Sequence, residues 1–385
     1  MERNLILIRL IYGFRYFMVY VPILVIFMEA HNISFTDFFV TQAVFAAAYA
    51  IVSIPCGYLS DRIGWKNSMI IASLLNILAT SLYAFWFTFP SFLIAEALYG
   101  IAFALFNGSE VALLYESLVA LGRRDEYKQQ QGTCEMWGRV MEGIACIIGG
   151  LIAADAINLP FYVQFGVAFI LIFLVTNLKK VTPPAAQDHP KLGTALHNIF
   201  IKQRPLRWII IYSSIIGFAT LTAVWMMQPY FKQQQLSLVW FGFGWAIMNF
   251  CVGIGAQIEP KIERMMGLKR LIISIPIVIA VGLLCFGLFK AAAVYIALLI
   301  ISLMRGFKVP LVMSILNHAV PSSIRATAVN SESLLMRILF AIITPWIGYL
   351  ADSTHGLSDA FYVLMAVCVL VGIAAMTTMP RFKRQ

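Results

Sequence analysis

Charged residues are scarce in this sequence. Asp, Glu, Lys and Arg together make up 12% of its 385 residues, whereas they make up about a quarter of a typical soluble domain. Hydrophobic residues account for 61%, and the mean hydropathy is +0.84. They occur in runs of about twenty, long enough to cross the hydrocarbon core of a bilayer as helices. We therefore expect a protein that is embedded in a lipid bilayer.

The motifs of enzymes and metal proteins are also missing. The six cysteines lie in or beside apolar runs and show no CxxC or Cys/His spacing. The sequence contains no phosphate-binding glycine loop, no HExxH and no nucleophile elbow. Basic residues give a net charge of +10, but they sit in separate loops and form no continuous stripe. We predict no catalytic residue, no metal, no cofactor and no nucleic-acid partner.

Twelve apolar runs are spaced along the chain. They cover residues 5–28, 37–59, 67–87, 92–118, 132–154, 159–178, 206–230, 239–258, 268–289, 293–319, 326–350 and 360–379. The long polar stretch at 179–205 contains a proline pair and several basic residues, which is typical of a linker. The predicted fold is an all-α membrane protein of 12 transmembrane helices, with six-helix bundles at 1–178 and 206–385 related by pseudo-symmetry.

The distribution of Lys and Arg predicts the orientation in the membrane. One set of alternate loops holds nearly all of these residues, and the opposite set holds only Lys232 and Lys290. Because cytoplasmic loops carry the excess of positive charge, we expect both termini and the 179–205 linker to be cytoplasmic. Short loops without added domains favour the inner membrane of a bacterium, and we expect a monomer.

Ionisable and amide residues inside the apolar runs are the candidate site residues, because charge in hydrocarbon is costly. The set for substrate binding or proton coupling is Arg15, Glu96, Asn107, Glu110, Glu135, Arg139, Glu142, Arg305, Lys308, Asn330, Glu332 and Arg337. Its five acids balance its five bases, which would suit a zwitterionic or polar substrate. For each residue three interpretations stay open: a structural ion pair, a substrate contact, or a proton carrier.

Helical spacing predicts neighbours for some of these residues. Arg15 lies too deep in the first run to reach the interface, so it needs a carboxylate or an anionic ligand. Glu96, Asn107 and Glu110 share one face of the fourth run, which predicts a single polar stripe. Glu135 precedes Arg139 by four residues, which predicts an intrahelical ion pair.

One loop carries a recognisable signature. After the second run the sequence reads Gly57-Tyr58-Leu59-Ser60-Asp61-Arg62-Ile63-Gly64-Trp65-Lys66. It resembles the G-x-L-a-D-r-x-G-r-k signature of the major facilitator superfamily, and Gly267-Leu268-Lys269 repeats part of it in the second half. The resemblance implies alternating access about a midplane site. It also implies a cytoplasmic gate formed by Gly57, Asp61, Arg62, Gly64 and Lys66.

Within that superfamily the sequence is similar to drug:proton antiporters. Their fifth-helix motif G-P-x-x-G-G survives only as the pair Gly149-Gly150, and Glu96 stands where their fourth-helix motif has arginine. The resemblance implies secondary active transport of a small organic solute, with proton-coupled export as the expected mode. The alternative is a proton symporter or a facilitator that imports a small zwitterionic nutrient.

Overall fold

A computed structural model describes residues 1–181, 200–201, 203–288, 292–319, 322–353 and 356–380. Its α-helices are α1 Glu2–Tyr16, α2 Leu24–Ala30, α3 Phe35–Ile63, α4 Trp65–Phe85, α5 Phe89–Ala120, α6 Tyr127–Asp155, α7 Leu159–Thr176, α8 Arg204–Gln233, α9 Leu238–Met266, α10 Leu268–Leu288, α11 Ala292–Ala319, α12 Ser322–Asp352 and α13 Leu357–Thr378. Short 3₁₀ turns precede α2 and α6.

Twelve segments of this structure are long and apolar enough to span a membrane. The prediction of 12 transmembrane helices is therefore confirmed. Several helices run past the ends of their apolar runs: α9, for example, continues to Met266, beyond the predicted end at residue 258. Apolarity marks only the part of a helix that lies in hydrocarbon, so it underestimates the helix length.

The first span is broken, which corrects the prediction of one continuous helix over residues 5–28. Helix α1 ends at Tyr16, and α2 begins only after a 3₁₀ turn that contains Pro22. Proline has no backbone N–H to donate and disfavours the α conformation in the residue before it. The side chain of Gln164 compensates for part of the helical hydrogen bonding that is lost at the break, because its Oε1 accepts from the Val19 N–H at 3.1 Å. The break places Arg15 in the last turn of α1.

The helices form two compact units. One comprises Met1–Gln187 with Gln235–Ala246, and the other comprises Asp188–Gln234 with Ile247–Gln385. In the first unit α1 packs on α6, α4 packs on α7, and α5 packs on both α3 and α4. In the second unit α8 packs on α12, α10 packs on α13, and α11 packs on α10. The first span of each unit thus contacts the fifth, and the third contacts the sixth.

Each unit also contains a close helix crossing at a glycine, between its second and fourth spans. A Cβ added to Gly100 on α5 would lie 2.6 Å from the carbonyl oxygen of Phe45 on α3. A Cβ added to Gly255 on α9 would lie 2.3 Å from the carbonyl oxygen of Leu303 on α11. Neither position has room for a side chain, because carbon and oxygen cannot approach so closely. The second and fourth spans of each unit therefore cross through glycine.

Candidate functional site

Arg15 and Glu110 form a buried ion pair between α1 and α5. The Arg15 Nε lies 3.3 Å from Glu110 Oε1, and the two side chains are 3% and 0% exposed. Arg15 also donates through Nη1 to Asn107 Oδ1 at 2.6 Å. Asn107 in turn donates through Nδ2 to the Tyr49 hydroxyl at 2.9 Å. This polar chain joins α1, α5 and α3 in the interior of the first unit.

Aromatic rings surround the Arg15 guanidinium. Its central carbon lies 4.7 Å from the ring centroid of Tyr16, 5.4 Å from that of Tyr12 and 5.5 Å from that of Phe103. At these distances the ring faces attract a cation. Arg15 Nη2 also donates to the Tyr16 hydroxyl at 3.1 Å, so the guanidinium is held by one carboxylate, one amide oxygen, one hydroxyl and three rings.

Arg15 supplies the positive charge that stabilises the ionised Glu110 carboxylate. Both of its oxygens are buried, and neither accepts a hydrogen bond from the part of the chain that the structure describes. A buried carboxylate normally has several donors, since leaving it without them costs free energy. Loss of the Arg15 charge would therefore leave Glu110 with no other charged group at ion-pair distance among the described residues.

Glu96 belongs to a different cluster from Glu110, so the predicted stripe on α5 is divided between two sets of partners. Its carboxylate accepts from the Tyr83 hydroxyl at 2.5 Å and from Gln42 Nε2 at 3.1 Å. Glu96 and Glu110 are separated by about 20 Å along the helix axis, at 1.5 Å per residue. The residues share a side of α5, but Glu96 meets α3 and α4 whereas Glu110 meets α1.

The ion pair on α6 also differs from the prediction. Arg139 Nη1 lies 3.0 Å from Glu142 Oε2, three residues later. Glu135, the predicted partner, instead accepts from Gln131 Nε2 at 3.2 Å. Both the i, i+3 and the i, i+4 spacing place two side chains on one helix face, so the spacing alone does not identify the partner.

The charged face of α6 is exposed. The Arg139 side chain is 61% exposed, and Glu135 is also exposed. Charged side chains in a membrane span face water or protein, so this face of α6 is not directed at lipid. In the same unit, Trp245 Nε1 is 3.5 Å from Glu142 Oε1.

The second unit contains an ion pair between α11 and α12. Lys308 Nζ lies 2.9 Å from Glu332 Oε1, and each side chain is 14% exposed. The Ser213 hydroxyl on α8 donates to the same oxygen at 2.7 Å. A Cβ added to Gly217 would lie 2.8 Å from Lys308 Nζ, so glycine there leaves room for the ammonium group. Three helices of the unit thus meet at Glu332.

The other candidates of the second unit differ in exposure. Asn330 is exposed on α12, and Arg305 and Arg337 are half-buried on α11 and α12.

Two buried carboxylates are not among the predicted site residues, because the predicted eighth apolar run ends at residue 258. Glu259 is 1% exposed and Glu263 is 8% exposed, both on the extension of α9. Their i, i+4 spacing on one helix face was the available signal.

The signature loop forms the junction of α3 and α4. Gly64 lies between the helices with φ +88°, a conformation that favours glycine. Lys66 donates through Nζ to the carbonyl oxygens of Thr176 at 2.7 Å and Leu178 at 2.6 Å, at the end of α7. A cation is favourable at a helix C-terminus.

The other members of the signature contribute less to this geometry. Arg62 is exposed in the last turn of α3. Gly57 is helical, and the side chain of Asp61 lies outside the described residues. In the second half, Gly267 adopts φ +82° between α9 and α10, at the position that corresponds to Gly64. The two halves therefore share the glycine junction, whatever the differences in their side chains.

The glycine pair of the fifth-helix motif serves close packing. A Cβ on Gly149 would lie 1.8 Å from the Val19 carbonyl oxygen, in the break of the first span. A Cβ on Gly150 would lie 2.9 Å from the Gly242 backbone nitrogen. Both glycines are required by sterics alone, so their presence does not depend on the transport mode.

Comparison with known proteins identifies the family. The family model of the Major Facilitator Superfamily matches residues 5–331. A segment of 64 residues is 41% identical to the uncharacterized MFS-type transporter MJ1317 of Methanocaldococcus jannaschii, and it covers 17% of this chain and 16% of that protein. The chain thus spans about a sixth of the length of this relative.

Two solved structures share the architecture. The nucleoside transporter NupG superposes with a TM-score of 0.81 at 12% identity, over 99% of this chain and 100% of that chain. A D-xylose-proton symporter superposes with a TM-score of 0.69 at 16% identity, over 99% and 97%. These identities show a common fold and no more. Because the family model covers most of the sequence, the chain belongs to the Major Facilitator Superfamily.

Proposed function

We propose that this protein couples the movement of a small polar organic solute to protons, and that Glu110 carries the proton. The observation that supports the proposal is the buried Arg15–Glu110 pair, in which both carboxylate oxygens lack hydrogen-bond donors among the described residues. A proton can bind such a carboxylate without displacing a donor. Ionisable groups inside membrane proteins commonly serve as proton relays.

Protonation of Glu110 changes the state of Arg15. The neutral acid no longer compensates the guanidinium, which is left in a low-dielectric interior with Asn107 and the aromatic rings as its neighbours. Arg15 then gains most by binding an electron-rich group of the solute. Proton binding and solute binding become linked through one cation, which is the differential interaction that coupling requires.

The surroundings of Arg15 favour a polar solute with an aromatic or ring-shaped part. Asn107 and Tyr49 supply hydrogen-bonding groups, and Tyr12, Tyr16 and Phe103 supply ring faces. Such a mixture fixes orientation through a few polar groups and supplies contact area through rings. The two structural neighbours are named for nucleoside and D-xylose transport, and both solutes are polar and cyclic.

Export in exchange for protons is the first candidate for the direction, and it rests on the similarity to drug:proton antiporters. Uptake together with protons is the second. The second is favoured by the neighbour named as a proton symporter and by the incomplete antiporter motifs around Glu96 and Gly149. Protonation of Glu110 that favours solute binding at Arg15 is the linkage that symport requires, whereas antiport requires proton and solute to compete, so a gradient experiment has to decide.

For the location, we propose the inner membrane of a bacterium with both termini in the cytoplasm. The proposal rests on the excess of Lys and Arg in one set of alternate loops. Labelling of single cysteines introduced at Asn32 and Lys128 tests it: we expect an impermeant reagent on intact cells to reach position 32 alone.

The transport test uses sealed proteoliposomes that contain the purified full chain. A pH gradient is imposed in either direction, and the uptake of labelled nucleosides, pentoses, amino acids and cationic drugs is followed. A solute that accumulates when the outside is acidic moves by symport, and one that accumulates when the inside is acidic moves by antiport. The sign holds for either orientation of the protein, because it follows from the gradients alone.

Glu110→Gln is the decisive variant, and Glu96→Gln is its matched control on the same helix. We expect Glu110→Gln to abolish accumulation but to retain exchange of labelled for unlabelled solute. We expect Glu96→Gln to retain both, because the glutamine oxygen can still accept from Tyr83. Accumulation by Glu110→Gln at the wild-type level would refute the proton-carrier role. Accumulation lost only in Glu96→Gln would move that role to the second cluster.

A further inference from the structure

A groove runs between the beginning of α8 and the end of α13, apart from the candidate site. It encloses about 250 Å³, just below the roughly 300 Å³ at which pockets begin to enclose a whole small ligand. Both helices are membrane spans. A ligand in this groove would therefore be held in part, with the remainder outside along the lipid-facing surface.

The rim of the groove is basic. Arg204 and Arg207 are both exposed, and none of the lining residues that the structure describes is acidic. Arg207 donates through Nη1 to the Phe200 carbonyl oxygen at 3.0 Å, and this bond does not use the N–H groups on Nε and Nη2. Neither arginine forms an ion pair within the described part of the chain. The rim thus carries two positive charges without a carboxylate to balance them.

The walls of the groove are apolar and continue along the spans. Ile211 is 41% exposed, and Ala374 on the opposite wall is also exposed. At the level of the arginines, Trp208 Nε1 donates to Thr378 Oγ1 at 2.9 Å, and the Trp208 ring stacks on Tyr212. Tryptophan with a satisfied N–H is typical of the headgroup level of a bilayer. The groove therefore has a charged end followed by apolar walls, in the same order as the headgroup and the acyl chains of a phospholipid.

We propose that this groove binds an anionic phospholipid. The phosphate contacts Arg204 and Arg207, and an acyl chain lies along the wall formed by Ile211 and Ala374. A soluble phosphate would use only the rim and leave the apolar wall uncovered, so the geometry favours the lipid. Basic pockets between membrane helices on the positive side commonly hold such headgroups.

The test is native mass spectrometry of the delipidated full chain, titrated with dioleoyl phosphatidylglycerol, with dioleoyl phosphatidylcholine and with glycerol 3-phosphate. Arg204→Gln/Arg207→Gln removes the rim charges. Arg124→Gln/Lys128→Gln is the matched control, because it removes two exposed positive charges from the other unit. Ala374→Trp fills the groove but keeps both arginines.

We expect phosphatidylglycerol to bind the wild type more tightly than phosphatidylcholine. Its affinity should fall about fivefold for each arginine lost, and so about 25-fold in the rim variant. The matched control should bind like the wild type, and Ala374→Trp should lose lipid binding with its charge unchanged. Binding by the rim variant at the wild-type level would overturn the proposal. Equal binding of glycerol 3-phosphate would also overturn it, because a free anion would then suffice.

Discussion

Removal of the Glu110 charge should destabilise the first unit, and the structure sets the size of the effect. In Glu110→Gln the guanidinium of Arg15, 5% exposed, loses its carboxylate but stays charged. Breaking a buried ion pair from one side costs about 3–5 kcal/mol. Arg15 keeps its bonds to Asn107 and Tyr16, which favours the lower end, about 3 kcal/mol. For a unit of this size that corresponds to a fall in Tm of about 6–12 °C.

A double-mutant cycle separates the ion pair from other effects of the substitution. Arg15→Gln should cost less than Glu110→Gln, because a buried carboxylate can take up a proton whereas a guanidinium cannot lose one. The double variant Arg15→Gln/Glu110→Gln removes both charges and should be more stable than Glu110→Gln alone. We expect a coupling free energy of about 2 kcal/mol between the two positions.

The assay is thermal unfolding of each purified variant in one detergent, followed by intrinsic fluorescence. Asp125→Asn, at an exposed position, is the control for a lost negative charge and should leave Tm unchanged. The reasoning fails if Glu110→Gln melts with the wild type. It also fails if the double variant loses the sum of the two single losses, since Arg15 and Glu110 would then be independent.

Two further predictions concern packing and the second ion pair. Gly100→Leu should prevent stable folding, because its Cβ would meet a backbone carbonyl at 2.6 Å, whereas Gly108→Leu on the same helix has open space and should express and melt like the wild type. Equal yields of the two variants on size-exclusion chromatography would contradict this packing. Lys308→Met should lower Tm by about 2–8 °C, or about 1–2 kcal/mol, because its pair with Glu332 is partly exposed and Ser213 remains bonded. A loss as large as that of Glu110→Gln would show that exposure does not weaken this pair.

The number of spans could be predicted because hydrocarbon thickness fixes the length of an apolar run. The signature around Gly64 could be recognised because a turn with positive φ restricts the residue to glycine. Helix ends could not be predicted as well, because polar residues continue a helix beyond the hydrocarbon. Glu259 and Glu263 lie on such an extension of α9, and for that reason they are not among the predicted site residues.

The partners of the candidate residues were harder to predict. Arg15 requires a carboxylate on energetic grounds, yet five acids were available, and helical periodicity describes only neighbours on the same helix. Which acid meets Arg15 depends on the rotation of α1 against α5, which is a property of tertiary packing. Partners such as Gln42 and Ser213 carry no signal at all, since amides and hydroxyls are common in sequences of every kind.

The two ion pairs differ in their hydrogen-bond donors, and this asymmetry supports the proposed assignment of the proton to the first unit. Lys308 and Ser213 both donate to Oε1 of Glu332, so this carboxylate joins α8, α11 and α12 through two donors. Glu110 accepts no donor within the described chain, and the charge of Arg15 alone opposes its protonation. A solute that engages Arg15 removes that opposition. This difference supports the proposal that the carboxylate of the first unit responds to the solute, whereas that of the second unit holds its helices together.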